Sequence, residues 1–244
     1  MNWDDPAERF FNPRPTVTTV PLPGATPVVV VDDVLLDPGD LVAWAARQAF
    51  QAPRGFPYPG VVVPAPAGLS ARFAEFFATH VQQALDVHAS LAHDLRLSMV
   101  TTPPAQLDPR QWQCHRDAVA PDASVAYVAS VLYLFHDASL GGTSFYVPRQ
   151  PPEVIEPLLR DSATLGAAAF TARHGLEPGY MDGSNAFFER VACVPAAWNR
   201  MIFYDAGFFH SGDIGKPDRL SADPAVGRLT ANAFLNCRRD VTTR

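Results

Sequence analysis

Two spacings of apolar side chains divide the chain near residue 96. Between Ser70 and Leu95 there is no proline or glycine, and large apolar residues recur every three or four positions, which is the spacing of one helix face. Beyond Arg96 the apolar positions form short runs with two-residue alternation, separated by turn residues, as is typical of β-strands. We therefore predict helices in the first part of the chain and mostly strands in the second.

The first 96 residues predict a layer of strand and helix. The β-branched run Thr26–Val31 predicts a strand, and the segment Pro38–Phe50 predicts a short capped helix. Gln51–Gly68 is rich in proline and glycine and is interpreted as a loop. The long amphipathic helix over Ser70–Leu95 would follow it and pack its phenylalanine stripe on a sheet.

Residues 97–237 predict a jelly roll or barrel. The predicted strands are Leu97–Thr101, Gln111–Asp117, Ala126–Phe135, Thr143–Val147, Phe187–Val194, Met201–Tyr204, Phe208–His210 and Arg228–Cys237. The alanine-rich segment Glu153–Arg173 predicts a helical insertion, which with the loop Gly175–Asn185 occupies residues near 150–185. The fold class expected is mainly β with N-terminal helices, in a single domain over residues 1–244.

Composition and charge narrow the partners. Nineteen basic and 25 acidic residues give a net charge of −6, and no basic run exceeds two residues, which argues against a nucleic-acid partner. No apolar run approaches a membrane span of about 18 residues. An acidic N-terminus and only three cysteines favour a cytoplasmic location. We expect a small-molecule or peptide substrate, and a monomer or a homodimer.

Three residues in two segments form a candidate metal site. His115 and Asp117 lie two apart on a predicted strand and would share one face, although a single such pair is expected by chance with about even odds. His210 ends an aromatic segment on a later strand. Two histidines and one carboxylate form the facial triad that suits non-haem Fe(II). The alternatives are a His–Asp contact on an exposed strand and a hydrogen-bonded histidine at a strand end.

The last predicted strand carries a candidate anion site. Alternation places Arg228, Thr230, Asn232 and Phe234 on one face, with apolar residues on the other. An arginine and a hydroxyl two residues apart can hold a carboxylate, because the guanidinium pairs bidentately and the hydroxyl adds a donor. An inward arginine needs an acidic partner, either from the protein or from a ligand.

Together these motifs resemble those of the Fe(II)/2-oxoglutarate-dependent oxygenase superfamily, with the prolyl 4-hydroxylase-like branch most similar. The matching motifs run in order over residues 111–236: His115-x-Asp117, Leu132-Tyr-Leu with Leu140-Gly-Gly-Thr-Ser-Phe-Tyr146, Phe209-His210-Ser-Gly and Arg228-x-Thr230. The resemblance implies a double-stranded β-helix, Fe(II) held by His115, Asp117 and His210, and O2 and 2-oxoglutarate as co-substrates. It also implies that Arg228 and Thr230 bind the distal carboxylate of 2-oxoglutarate and that Tyr133 lines its pocket.

The implied activity is C–H hydroxylation with release of succinate and CO2, while desaturation and ring formation stay open. The carboxylate of Asp117 disfavours halogenation. In the family the arginine lies closer to the distal histidine than Arg228 does, so Arg219 is an alternative; we prefer Arg228 because regular alternation follows it. A cupin-like metal hydrolase or isomerase and a non-catalytic ligand-binding jelly roll are the competing functions.

Overall fold

Two antiparallel β-sheets form the body of the protein in a computed structural model, which describes residues 2–239, with the backbone alone at 89–92. The ten strands in this range are β1 (Thr16–Val20), β2 (Val28–Asp32), β3 (Gly60–Pro64), β4 (Ala89–Val100), β5 (Val125–Tyr133), β6 (Thr143–Pro148), β7 (Phe188–Val194), β8 (Arg200–Asp205), β9 (Phe209–Gly212) and β10 (Leu229–Arg238). The larger sheet has the order β1-β2-β8-β5-β10-β4-β3, and the smaller has the order β7-β6-β9. This arrangement confirms a jelly-roll-like, mainly β fold.

The same range contains four α-helices, α1 (Pro38–Ala45), α2 (Ala67–His80), α3 (Pro152–Thr164) and α4 (Ala167–His174). Of these, α1 and α2 pack on one face of the large sheet. Phe73 and Phe77 of α2 lie 6.1 and 5.8 Å, between ring centroids, from Phe203 of β8. In the described part of the chain, no helix combines the length and the apolar character needed to cross a membrane.

Alternation along β10 separates the core from the inner face of the large sheet. Leu229, Ala231, Ala233 and Leu235 are buried in the cluster that α1 and α2 cover. The intervening residues, beginning with Thr230, face the space between the sheets. Because α2 and its core occupy one face of the sheet, the opposite face is left for a ligand cavity.

The helix predicted over Ser70–Leu95 is wrong beyond His80. A 3-10 helix, Gln82–Leu85, follows α2, and Asp86 then adopts a left-handed φ of 53°, which reverses the chain. From Ala89 the backbone pairs with β10 and forms β4. The apolar residues keep helical spacing up to Leu95, but from Ala89 onward pairing with β10 determines the conformation.

Three further predictions need correction. The loop predicted over Gln51–Gly68 contains β3, which pairs with β4, and the first residues of α2. Gln111–Asp117 is not a strand: a 3-10 helix spans Pro109–Gln111, and only His115 forms a β-bridge. The helix predicted to reach Phe50 ends at Ala45.

The helical insertion lies where the sequence predicted it. The helices α3 and α4 pack Ile155, Leu158 and Phe170 into an apolar cluster with Trp112 and Phe188. The division predicted at residue 96 falls inside β4, and β1 to β4 all belong to the large sheet. The N-terminal part of the chain therefore contributes strands to the same sheet as β10.

Asn199 ties the N-terminal segment to β8, and its removal is expected to destabilise the fold. Its buried amide accepts from the Leu35 N–H and donates to the Leu35 carbonyl, both at 2.9 Å, while its own φ is 61°. Asn199→Ala leaves both groups unsatisfied and adds left-handed strain, so we expect a loss of about 2–4 kcal/mol in denaturant unfolding.

Asn12→Ala is the matched control. Asn12 also donates to a backbone carbonyl, that of Asp33 at 2.9 Å, but this bond is exposed. We expect its loss to cost less than about 1 kcal/mol. Equal effects of the two substitutions would contradict a special role for Asn199.

Candidate metal and carboxylate site

A backbone bridge brings the two candidate histidines together. The N–H of each of His115 and His210 donates to the carbonyl of the other at 2.9 Å. Their rings are 4.5 Å apart between centroids. Since His210 belongs to β9 in the small sheet, the bridge attaches the irregular segment around His115 to the free edge of that sheet.

Asp117 completes the cluster. Its N–H donates to the Ala206 carbonyl at 2.9 Å, which fixes the backbone beside β9. One carboxylate oxygen lies 3.2 Å from Nε2 of His210 and the other 3.5 Å from Nε2 of His115. The three potential ligand atoms lie within 4.8 Å of one another, so this group could hold a metal ion.

The electrostatics of the cluster favour an ionised carboxylate. Burial raises the pKa of Asp117, but the charges and hydrogen bonds of His210 and His115 outweigh it and hold that pKa well below its usual range. For His210, burial lowers the pKa, and the Asp117 carboxylate and the Phe208 carbonyl reverse this and raise it.

The donor set fits a divalent transition metal. Nδ1 of the buried His210 lies 2.9 Å from the Phe208 carbonyl, a contact that makes Nδ1 the donor and leaves Nε2 as the ligand atom. The side chain of His115 is 52% exposed, so one side of the cluster is open. Two imidazoles and one carboxylate on one side leave the remaining coordination positions free.

Arg228 is buried on a ring of backbone carbonyls. Its Nε donates to the carbonyls of Leu140 (3.0 Å) and Gly141 (3.2 Å), and its Nη2 donates to that of Gly142 (2.9 Å). Within residues 2–239, no carboxylate forms an ion pair with this guanidinium. Carbonyls orient a cation without neutralising it, so the site retains a positive charge for an anion.

Gly141 and Gly142 have a role that the sequence prediction missed. Because neither has a Cβ, they allow backbone to approach backbone. A Cβ at Gly142 would lie 2.0 Å from the Val194 carbonyl oxygen, and one at Gly141 would lie 1.8 Å from that of Asp213. The Gly142 carbonyl also accepts from the Asp213 N–H at 3.1 Å, which links the Arg228 site to the end of β9.

The remaining predicted residues lie in different environments. Thr230 is buried, and its hydroxyl is 3.4 Å from the Ser98 carbonyl. Tyr133 is fully buried behind Thr143, with their hydroxyls 2.8 Å apart, and burial raises the pKa of Tyr133 to about 12. Thr143 lines a large cavity that lies between the two sheets, and Tyr133 does not.

Arg219, the alternative to Arg228, lies outside this site. It pairs with Asp137 at 2.8 Å and donates to the Ser139 hydroxyl at 3.0 Å, with a side chain that is 56% exposed. It does not line the cavity.

A cavity of about 900 Å³ joins the His–Asp–His cluster to Arg228 and Thr230. Tyr58 and Arg96 are among the wall residues that the sequence prediction missed. Tyr58 lies in the segment interpreted as a loop, and Arg96 lies between the predicted helix and the first predicted strand. Burial raises the pKa of Tyr58, against the opposing effects of the Arg228 charge and the neighbouring Thr230 and Ser98 hydroxyls.

The fold and site define a jelly-roll protein with a His–Asp–His cluster in a large cavity. A family model described as "Family of unknown function (DUF6445)" matches residues 13–235, and the chain belongs to this family. No curated protein matches the chain.

Several solved structures are similar over most of their length. HygX from Streptomyces hygroscopicus, with nickel and 2-oxoglutarate bound, is 11% identical (TM-score 0.46, covering 88% of this chain and 83% of that chain). The non-heme alpha ketoglutarate dependent carbocyclase SnoK from nogalamycin biosynthesis is 13% identical (0.46, 88% and 83%). A Pseudomonas putida prolyl-4-hydroxylase is 13% identical (0.36, 82% and 87%). At these identities and TM-scores, the similarity says nothing about the activity of this chain.

Gly142→Ala tests the close backbone approach at the Arg228 site. The added Cβ would meet the Val194 carbonyl, so the chain must shift, and we expect a loss of about 2 kcal/mol or more. That loss would lower the melting temperature by roughly 4 °C or more in thermal denaturation.

Gly179→Ala is the control, because a Cβ there meets no atom within 4 Å. Its melting temperature should stay near that of the unchanged protein. If Gly142→Ala were equally harmless, the tight contact with Val194 would be wrong.

Proposed function

We propose that the protein is an Fe(II)- and 2-oxoglutarate-dependent dioxygenase that hydroxylates a C–H bond of a small molecule, an amino acid derivative or a peptide. One observation carries this proposal: a single cavity holds both a His–Asp–His cluster and a buried arginine that lacks a carboxylate partner within residues 2–239. A metal site alone is compatible with many reactions. The unneutralised Arg228 in the same cavity calls for an anionic co-substrate.

His115, Asp117 and His210 would hold Fe(II). With two neutral imidazoles and one carboxylate, the site keeps a net charge of +1, which favours a dianionic oxoacid. The low pKa of Asp117 keeps its carboxylate ionised and available as a ligand. When bound, Fe(II) supplies the oxidising chemistry in which O2 and 2-oxoglutarate yield succinate, CO2 and the hydroxylated substrate.

Arg228 and Thr230 would bind the distal carboxylate of 2-oxoglutarate. The three carbonyls orient the guanidinium before the co-substrate arrives, so little side-chain entropy is lost on binding. Burial strengthens the attraction between the guanidinium and a carboxylate, because water screens it less. A metal hydrolase with the same cluster has no need of this arginine, which is why we favour the oxygenase.

The cavity is large enough for a co-substrate and a second small molecule. Ligand sites commonly occupy about 300–1,000 Å³, and this one is about 900 Å³. The aromatic ring of Tyr204 packs against His210, 4.7 Å between centroids, and limits movement of the imidazole. The exposed side of His115 leaves a path for the substrate to reach the cluster.

Anaerobic titration tests this function. Addition of Fe(II) and 2-oxoglutarate should produce a weak visible charge-transfer band, and His210→Ala should abolish it because a ligand is lost. Arg228→Gln should keep the band and need about 10- to 100-fold more 2-oxoglutarate, as expected when a charge-assisted bond is removed.

Arg219→Gln is the matched control, since this arginine is exposed and paired outside the cavity. It should titrate like the unchanged protein. Metal binding without any 2-oxoglutarate affinity would contradict the dioxygenase and favour a metal hydrolase or isomerase. Unchanged ligand binding after His115→Ala and His210→Ala together would favour a non-catalytic binding protein.

A further inference from the structure

A second arginine, Arg96 of β4, lines the same cavity. Its guanidinium carbon lies 4.1 Å from the ring centroid of Phe56 and 4.7 Å from that of Phe234. The two rings cover the guanidinium by cation–π contacts, which hold a cation without neutralising it. The N–H edge is therefore the part of the group left to bind a ligand.

Arg96 lacks a close acidic partner among the described residues. Its ion pair with Asp94 is long, at 3.5 Å, and the Asp94 side chain is 68% exposed, so solvent weakens the attraction. The Arg96 Nε is buried and has no hydrogen-bond partner in the described chain. Burial lowers the pKa of Arg96, although the Asp94 and Asp117 carboxylates oppose the shift.

Three other arginines line the cavity, and each differs from Arg96. Arg110 forms two hydrogen bonds with the Asp108 carboxylate, at 2.8 and 3.3 Å, and is already paired. Arg116 also lies over an aromatic ring, that of Phe209 at 4.6 Å, but it is exposed to solvent, whereas Arg96 is partly buried. Arg228 is held by three carbonyls and is assigned above to 2-oxoglutarate.

Sheet register separates Arg96 from the 2-oxoglutarate site. Arg96 lies opposite Asn232 of β10, and Ser98 lies opposite Thr230. Asn232 is four residues beyond Arg228, which corresponds to about 13 Å along an extended strand. The backbone positions of the two arginines therefore lie well apart along this wall.

A buried amide opposite Arg96 also lacks a partner. Oδ1 of Asn232, in the cavity wall, forms no hydrogen bond with the described residues. Buried polar groups are normally satisfied, so this amide oxygen needs a ligand or water as its donor. Together with Arg96 and the flanking Phe234, Asn232 forms a surface for a ligand that has an anionic group, a hydrogen-bond donor and an apolar portion.

Resting on the proposed function, we propose that Arg96 binds the carboxylate of the substrate, and that the substrate is an N-acylated amino acid or a peptide with a free carboxylate. Asn232 would accept from its amide N–H, and Phe56 and Phe234 would contact its apolar side chain. Arg96 would thus determine which compounds are placed beside the His–Asp–His cluster.

Binding of matched acids and amides tests this assignment without turnover. The probes are N-acetyl-L-phenylalanine and N-acetyl-L-leucine, each compared with its C-terminal amide, in calorimetric titrations of the metal-free full chain. We expect at least one acid to bind more tightly than its amide. Arg96→Gln should weaken the binding of that acid about tenfold or more and remove the preference for acid over amide. Arg96→Lys should retain part of this preference, because lysine keeps the positive charge.

Arg110→Gln is the matched control, because Arg110 lines the same cavity and is already paired; its acid preference should persist. Circular dichroism and melting curves establish whether each variant is folded. If Arg96→Gln unfolds, Arg96→Lys tests the acid preference independently. Retention of the acid preference in a folded Arg96→Gln protein, or absence of any preference in the unchanged protein, would overturn the proposal.

A second titration separates this proposal from the proposed function. With Mn(II) present, 2-oxoglutarate binding should weaken in Arg228→Gln and stay unchanged in Arg96→Gln. Failure of the unchanged protein to bind 2-oxoglutarate, with Arg96-dependent acid binding intact, would reject the dioxygenase and keep the Arg96 site. If Arg228→Gln removed acid binding and Arg96→Gln did not, the acid site would belong to Arg228.

Discussion

The paired backbone hydrogen bonds between His115 and His210 are the constraint on which the candidate site depends. These residues are far apart in the chain, and His115 lies in an irregular segment. Without the bridge its imidazole would have no fixed relation to β9. The bridge also places Asp117 next to Ala206, so one short pairing positions all three potential ligands. The site therefore depends on backbone geometry before any metal is present.

Backbone groups also set the charge distribution at the other end of the cavity. Three successive carbonyls hold Arg228, and two of them belong to glycines that pass close to the backbone of Asp213 and Val194. A carboxylate in their place would have neutralised the arginine and removed its attraction for a ligand. Because the Gly142 carbonyl also accepts from Asp213, just beyond β9, the arginine and the histidine strand share one support.

The sequence predicted the parts of the site that regular alternation or motif order specifies. Alternation along β10 correctly separated Thr230 from its core-facing neighbours, and the spacing of His115 and Asp117 identified residues that do lie together. The strand assigned to their segment was wrong, because a single bridge and not a ladder holds it. The helix that failed after His80 shows the same limit: the period of apolar residues does not reveal where a left-handed Asp86 reverses the chain.

The residues that prediction missed lie in the part of the chain with the weakest sequence signal. Tyr58 follows a proline-rich segment, and Arg96 lies between a predicted helix and a predicted strand, yet both reach the cavity because β3 and β4 extend the sheet that contains β10. The His–Asp–His cluster and Arg228 come from residues 115–228, whereas Phe56, Tyr58 and Arg96 come from earlier strands and loops. Both parts of the chain thus build the cavity wall, because β3 and β4 continue the sheet face that β10 presents to the space between the sheets.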